Sequence, residues 1–203
     1  MIKILLKTKL FFVILTIGSV LKADPYSLAN ISQYLTNLKF LKADFLQTSA
    51  DGTASSGAIL IKRPGRMRFE YYKPDKTLVL ISSGALAIFD PKGDEEPVTY
   101  PIKNNPISLV LTGEVDLLNS GIVENYEKSI EEAVLTIRDP KRPERGSVEL
   151  VFTGAKPELK RFSIKNENGS STSILLNDIE YPKKINETLF SIALEINKRK
   201  SKN

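Results

Sequence analysis

Residues 59–91 constrain the fold of this chain more than any other segment. They read ILIKRPGRMRFEYYKPDKTLVLISSGALAIFDP, in which four short apolar runs are separated by Pro, Gly, Ser and Asp residues that favour turns. The second run alternates between apolar Met67, Phe69 and Tyr71 and charged Arg66, Arg68 and Glu70. Because side chains alternate across a strand, the two sets lie on opposite faces. The segment therefore predicts a meander of antiparallel strands with one apolar face.

The rest of the chain continues this pattern around one helix. Apolar residues at helical spacing predict a helix over 24–41, and a proline favours one or two helical turns over 107–111. Further strands are predicted over residues 42–48, 57–62, 121–126, 133–138, 147–153, 159–165 and 172–179. A single sheet of roughly ten short strands must curl, close or split. We therefore expect an α+β fold, an incomplete antiparallel β-barrel with a helical lid over an apolar cavity.

Residues 1–23 have the features of a secretory signal peptide. Lysines precede an unbroken apolar run over 10–17, and a plausible cleavage site lies before Asp24. The apolar run is shorter than the roughly 20 residues that span a bilayer, although an uncleaved tether is an alternative. We expect residues 24–203 to form a single exported, periplasmic domain.

The composition excludes several kinds of site. The chain has no Cys and no His, so catalytic triads, His-ligated metals, thiolate zinc sites and disulfides are not available. The absence of Cys also leaves no acceptor for a lipid at the end of the leader. The acidic runs Asp94-Glu95-Glu96 and Glu131-Glu132 are interpreted as solvated. We expect neither an enzyme nor a cofactor or metal.

The net charge of +5 comes from the two ends of the chain. The leader and the segment 198–202 each hold four basic residues, so the body 24–197 has three more acidic than basic residues. This distribution does not favour nucleic-acid binding, which needs a basic folded face. The basic C-terminus is interpreted as a frayed end, with contact to acidic lipid headgroups as the alternative.

Several motifs together resemble the LolA-type family of periplasmic outer-membrane lipoprotein carriers. They are Phe45-x-Gln47, Lys62-Arg63-Pro64-Gly65-Arg66, Arg68-Phe69-Glu70-Tyr71, Ser83-Gly84 and Asp90-Pro91. The resemblance extends over about 31–190 and implies the same half-barrel fold. The C-terminus lacks the Pro-containing ending usual in that family, which leaves open whether the last strand closes the sheet in the same way.

The resemblance implies a carrier that binds the acyl chains of lipoproteins released from the inner membrane and delivers them to the outer membrane. Its partners would be acylated lipoproteins, an inner-membrane ATP-driven release complex and an outer-membrane acceptor, with the carrier itself a monomer. It further implies that Arg63 holds the lid shut in the empty state; the alternative is an Arg that only satisfies a strand end. Pro64 and Gly65 are interpreted as turn residues.

Strand alternation indicates which side chains would line the cavity. The candidates are Phe45, Leu60, Met67, Phe69, Tyr71, Leu80 and Ile88. Each of them could instead be ordinary core, since apolar strand residues are mostly core. We nevertheless expect the curled sheet to leave apolar space vacant for a guest. Alternative functions are a carrier of a phospholipid or glycolipid, an enzyme on the same fold, and a structural surface protein without an enclosed cavity.

Overall fold

The computed structural model describes residues 24–91 and 96–201, so the predicted leader lies outside the described residues. Two α-helices, α1 and α2, cover Leu28–Asn37 and Ile192–Lys200. The strands β1 to β11 are Phe40–Thr48, Ala54–Lys62, Arg66–Tyr71, Leu78–Ser82, Ala85–Phe89, Val98–Pro101, Val123–Lys128, Glu132–Arg138, Ser147–Thr153, Glu158–Lys165 and Ser171–Glu180. Short 3-10 helices cover Ile102–Asn104, Pro106–Leu109, Pro143–Arg145 and Glu187–Phe190.

All eleven strands of the described residues belong to one antiparallel sheet. Its order is β6-β5-β4-β3-β2-β1-β11-β10-β9-β8-β7, which consists of two meanders, β1–β6 and β7–β11. The meanders are joined where β1 pairs with β11, for example Phe45 with Leu176. The outermost strands β6 and β7 each have one neighbour, so the sheet is open.

Helix α1 is shorter than the sequence predicted. The Ser27 side chain caps its N-terminus by accepting a hydrogen bond of 3.3 Å from the Asn30 amide. The helix ends at Asn37 because Leu38 is already extended, and β1 starts at Phe40. Leu38 and Leu41 continue the helical spacing, but they belong to the connection and to β1.

One face of the sheet carries the main core and is concave. This core extends from Ile81 on β4 to Ala133 on β8 and includes the buried residues of α1. Met67 on β3 and Leu150 on β9 line the same small cavity. In a flat sheet, strands five positions apart would be separated by about 24 Å. Their meeting around one cavity requires the sheet to curl, as expected for an incomplete barrel.

Helix α2 packs on the opposite, convex face and corrects the expectation of a frayed C-terminus. Ile192 and Ile196 contact a second apolar cluster formed by β4 and β5. The Arg199 guanidinium lies 4.9 Å from the centre of the Phe89 ring and donates a 2.8 Å hydrogen bond to the Asp90 carbonyl. The final described element is thus a docked helix, and the last strand, β11, lies in the middle of the sheet.

No helix within the described ranges is long and apolar enough to cross a membrane.

Candidate functional site

Five of the seven predicted cavity residues lie on the concave face. Phe45, Met67 and Phe69 are buried in the main core, and Tyr71 packs against it. Val79 packs against the main core, and Ile88 shares its face because the two are directly opposite in the β4–β5 ladder. The apolar face predicted from strand alternation thus forms on β1, β3 and β5.

Leu60 and Leu80 lie on the other face, and their assignment to the concave surface was wrong. Leu60 is opposite Lys42 on β1 and Arg68 on β3. Leu80 is fully buried, but in the cluster beneath α2. Both residues belong to runs that are apolar at every position, in which the sequence does not reveal which residues point inward. Ile59 and Ile61 take the concave positions of β2 instead.

An aromatic cluster forms part of the concave wall. Phe45 makes edge-to-face contacts with Phe69 and Tyr71, with ring centres 5.4 and 5.1 Å apart. The Tyr71 hydroxyl donates a 2.7 Å hydrogen bond to Gln47, and burial, reinforced by Asp75, raises the pKa of Tyr71 to about 12. Gly57 makes room for these rings, because a Cβ there would lie 2.8 Å from the Phe45 ring and 2.3 Å from the Glu70 carbonyl. The sequence analysis did not single out Gly57.

Two segments cover the concave face, and we call them together the lid: helix α1 and residues 102–117. Helix α1 buries Ile31 and Leu35 in the main core, and Leu38, directly after the helix, is buried there as well. The 102–117 segment buries Ile107, Leu111, Val115 and Leu117 there, and its second 3-10 helix contacts β8, β9 and β10. The 3-10 helix Pro106–Leu109 overlaps the helical turns predicted over 107–111, whereas the apolar contribution of residues 112–117 was not predicted.

Between the lid and the sheet, the described residues leave a small apolar cavity. Its volume is about 30 Å³, and it is lined by Arg63 and ten apolar side chains. In the described part of the chain this cavity is much smaller than the vacant hollow that the sequence predicted, because lid side chains occupy much of the concave face. A whole acyl chain is larger than this cavity.

Arg63 lies where the β2–β3 turn meets the lid. It is 6% exposed, and its Nη2 donates to the Thr112 carbonyl. Close by, the Gly65 amide donates a 2.8 Å hydrogen bond to the Leu111 carbonyl. Burial lowers the pKa of Arg63 to about 10, which leaves it charged at neutral pH. Two neighbouring residues of one turn thus bind the same part of the 102–117 segment.

Helix α1 is attached to the sheet through Tyr34. The β9–β10 ladder is irregular between Leu159 and Arg161, and there the Leu159 amide donates a 3.2 Å hydrogen bond to the Tyr34 hydroxyl. The hydroxyls of Tyr34 and Tyr181 share another hydrogen bond of 3.2 Å. Burial, together with Tyr34 and Glu158, raises the pKa of Tyr181 well above its ordinary value. The helical spacing included Tyr34, but nothing in the sequence revealed these partners.

The two parts of the lid are bonded to each other. The Ser32 hydroxyl donates to the Val115 carbonyl and accepts a 3.2 Å hydrogen bond from the Leu117 amide. The Thr36 hydroxyl accepts a 3.4 Å hydrogen bond from the Val115 amide. These contacts join one face of α1 to the end of the 102–117 segment.

The described residues thus define an open antiparallel half-barrel whose apolar face is covered by one helix and one loop segment. Residues 36–193 match the model of the family described as outer membrane lipoprotein carrier protein LolA. The chain belongs to this family.

Individual relatives agree with that assignment in name. The outer-membrane lipoprotein carrier protein of Methylococcus capsulatus is 24% identical over 187 residues, which cover 87% of this chain and 88% of the relative. The protein of the same name from Dechloromonas aromatica is 29% identical over 170 residues, with 79% and 80% covered. A solved LolA superfamily protein from Nitrosomonas europaea is similar with a TM-score of 0.43 and 10% identity, covering 81% of this chain and 97% of that one.

Proposed function

We propose that this chain is a non-enzymatic periplasmic carrier that binds the acyl chains of lipoproteins released from the inner membrane and delivers them to an outer-membrane acceptor. The observation that carries the proposal is a continuous apolar face on a curled sheet, covered by a lid that polar contacts hold at two places. Family membership supports the same conclusion. The periplasmic location and the partner complexes are part of this proposal.

The proposed guest replaces the lid on the concave face. The main core buries Ile31 and Leu35 of α1, Leu38 directly after it, and Ile107 and Leu111 of the loop segment. When they leave, their apolar surface and that of the sheet need another apolar partner. Acyl chains provide it, because each buried CH₂ contributes ~0.8 kcal/mol. The exchange of one apolar partner for another keeps net affinity moderate, which suits a carrier that must release its cargo.

The lid contacts support opening at defined points. Arg63 and Gly65 hold the 102–117 segment at one side. At the other side, Tyr34 holds α1 to β10 and to Tyr181, directly after β11. Ser32 and Thr36 keep the two parts of the lid together. We therefore propose that α1 and residues 102–117 move as one unit when a lipid enters. Phe45, Met67, Phe69, Tyr71 and Ile88 then become the wall that the acyl chains contact.

Native mass spectrometry of the protein isolated from the periplasm tests the proposal. We expect a fraction of molecules to carry an extra mass that matches an acylated lipoprotein. A bound phospholipid or glycolipid would instead support a carrier of another amphiphile, and a protein that never carries lipid would contradict both.

Depletion of the protein from its source cell, followed by localisation of lipoproteins, tests delivery, because loss of a carrier should leave the lipoproteins at the inner membrane.

A further inference from the structure

Arg63 has more hydrogen-bonding capacity than the described residues use. One of its nitrogens, Nη2, donates to the Thr112 carbonyl. Its Nε and Nη1 atoms are buried and have no hydrogen-bond partner within residues 24–91 and 96–201. No carboxylate of these ranges forms an ion pair with it either. Desolvated donors without acceptors are unfavourable and rare in folded proteins, so each calls for a reason.

The unused donors lie at the wall of the apolar cavity. Among the described residues that line it, Arg63 is charged and the others, such as Leu38, Met67 and Phe162, are apolar. Sites for apolar ligands commonly combine such walls with a few polar groups that fix the orientation of the ligand. A planar guanidinium with free N–H groups suits ligand oxygens that accept hydrogen bonds side by side.

We propose that Arg63 binds the ester carbonyl oxygens of the cargo lipid, and so holds its glyceryl end at the β2–β3 turn while the acyl chains extend along the concave face. This inference rests on the proposed function. Ester carbonyls are the oxygens that lie next to the acyl chains in a diacylglyceryl group. They are therefore the acceptors that reach a buried cation when the chains enter an apolar cavity.

The same guanidinium also binds the lid, so the binding of cargo to Arg63 affects lid closure. In the closed conformation Thr112 supplies one carbonyl to Arg63, which leaves two nitrogens unsatisfied. A diacylglyceryl group supplies two ester carbonyls in its place. Cargo and lid therefore compete for Arg63, and lipid binding weakens the contact that holds the 102–117 segment closed.

The test compares two synthetic lipopeptides that differ only in their ester or ether linkages to the glyceryl group. An ether keeps the chains but lacks the carbonyl oxygens. We expect the wild-type protein to bind the ester form about tenfold more tightly, as measured by displacement of a fluorescent fatty acid. Arg63→Met should abolish this ratio, and Arg63→Lys should retain part of it. The ratio of the ester and ether affinities is taken within each variant. A change in the lid that shifts both affinities equally therefore does not alter the ratio.

Arg66→Met is the matched control, since Arg66 lies three residues further on and on the convex face, near Glu187 at 3.7 Å. It should keep the wild-type ratio. Equal affinities for the two lipopeptides in the wild type, or an unchanged ratio in Arg63→Met, would overturn the inference alone. Failure of the wild type to bind either lipopeptide would overturn the proposed function as well. An ester preference seen only with a matched phospholipid pair would overturn the assignment to lipoprotein lipid.

Discussion

At the scale of single residues, Arg63 is the most unusual side chain of the described protein. Its burial lowers the pKa to about 10, well below the ordinary value of an Arg, so folding disfavours the charged form. The folded pKa lies below the unfolded one, so this penalty is fully present at neutral pH. It is relieved only as the pH rises through 10, where the folded protein loses the proton first. The closed conformation is thus stable in spite of Arg63.

Arg63→Leu should therefore be at least as stable as the wild type. Removal of a buried charge without a counter-ion is expected to raise the free energy of unfolding by roughly 1–3 kcal/mol, as measured by chemical denaturation. The same variant should fail to release cargo or to pass it to the acceptor in a transfer assay. Arg66→Leu, on the half-exposed convex side, is the control for both measurements. Transfer at the wild-type rate by Arg63→Leu would remove the proposed role of this residue.

Tyr34→Phe should loosen the lid at its other attachment. The substitution leaves the ring against Phe152 but removes the hydroxyl that binds the Leu159 amide and Tyr181. Loss of these hydrogen bonds is expected to lower stability by about 1–2 kcal/mol and to speed the uptake of an apolar fluorescent probe. Tyr100→Phe removes a hydroxyl from the exposed edge strand β6 and should change neither quantity. Equal probe uptake by the two variants would mean that Tyr34 does not restrain α1.

The sequence predicted concave residues well only where polar and apolar side chains alternate. Met67, Phe69 and Tyr71 alternate with charged residues, and their face was assigned correctly. Leu60 and Leu80 lie in uniformly apolar runs. Leu80 is buried on the convex face by α2, whereas Leu60 is half-buried beside Arg68 of the neighbouring strand. The partners of Arg63 and Tyr34 are backbone groups distant in the chain, which no local pattern reveals.

At the scale of elements, α2 is the part of the structure that the sequence analysis missed. It ends in three consecutive basic residues, Lys198, Arg199 and Lys200, and its apolar face is short. The basic run therefore indicated an exposed end of the chain. Ile192 and Ile196 are spaced four residues apart, as one side of a helix requires. This spacing was the available signal. The basic residues also have folded roles, since Arg199 pairs with Glu195 at 3.2 Å and Lys200 with Glu96 at 3.0 Å.

A pair of substitutions separates the buried side of α2 from its exposed side. Ile196→Glu places a charge against Leu78, Leu80, Ala87 and Phe89 and should lower the free energy of unfolding by about 2–3 kcal/mol. Leu194→Glu, on a residue that is 50% exposed, should change it by less than about 0.5 kcal/mol. Thermal unfolding of the two variants provides the measurement. Similar effects at both positions would mean that α2 is not docked on β4 and β5.

At the scale of the whole molecule, the half-barrel was predictable and the small size of its cavity was not. The number of short strands and the length of the chain required one curled sheet, and the alternating residues showed that one face is apolar. The volume beneath the lid depends instead on how far α1 and residues 102–117 enter the concavity. Ser32, Thr36 and Val115 determine this through hydrogen bonds between segments about 80 residues apart in the chain.

Amide exchange can show whether the lid moves as one unit. In the closed protein the Leu159 amide binds Tyr34, whereas the Val115 and Leu117 amides bind Thr36 and Ser32 within the lid. If lipid displaces the whole lid, Leu159 should exchange with solvent faster after loading, while Val115 and Leu117 keep their protection. Nuclear magnetic resonance on the loaded and empty protein measures all three. Faster exchange at Val115 and Leu117 would instead indicate that the two parts separate.

The open seam of the sheet has a consequence for the size of guest that the protein accommodates. In a closed barrel, interstrand hydrogen bonds run around the full circumference, so the number of strands and their stagger fix the diameter. Here β6 and β7 terminate the ladder, and no bond among the described residues joins them. The width of the half-barrel can therefore increase through small changes in twist between neighbouring strands, while all interstrand hydrogen bonds remain. Bulkier or longer tails then require bending of the wall and not its disassembly.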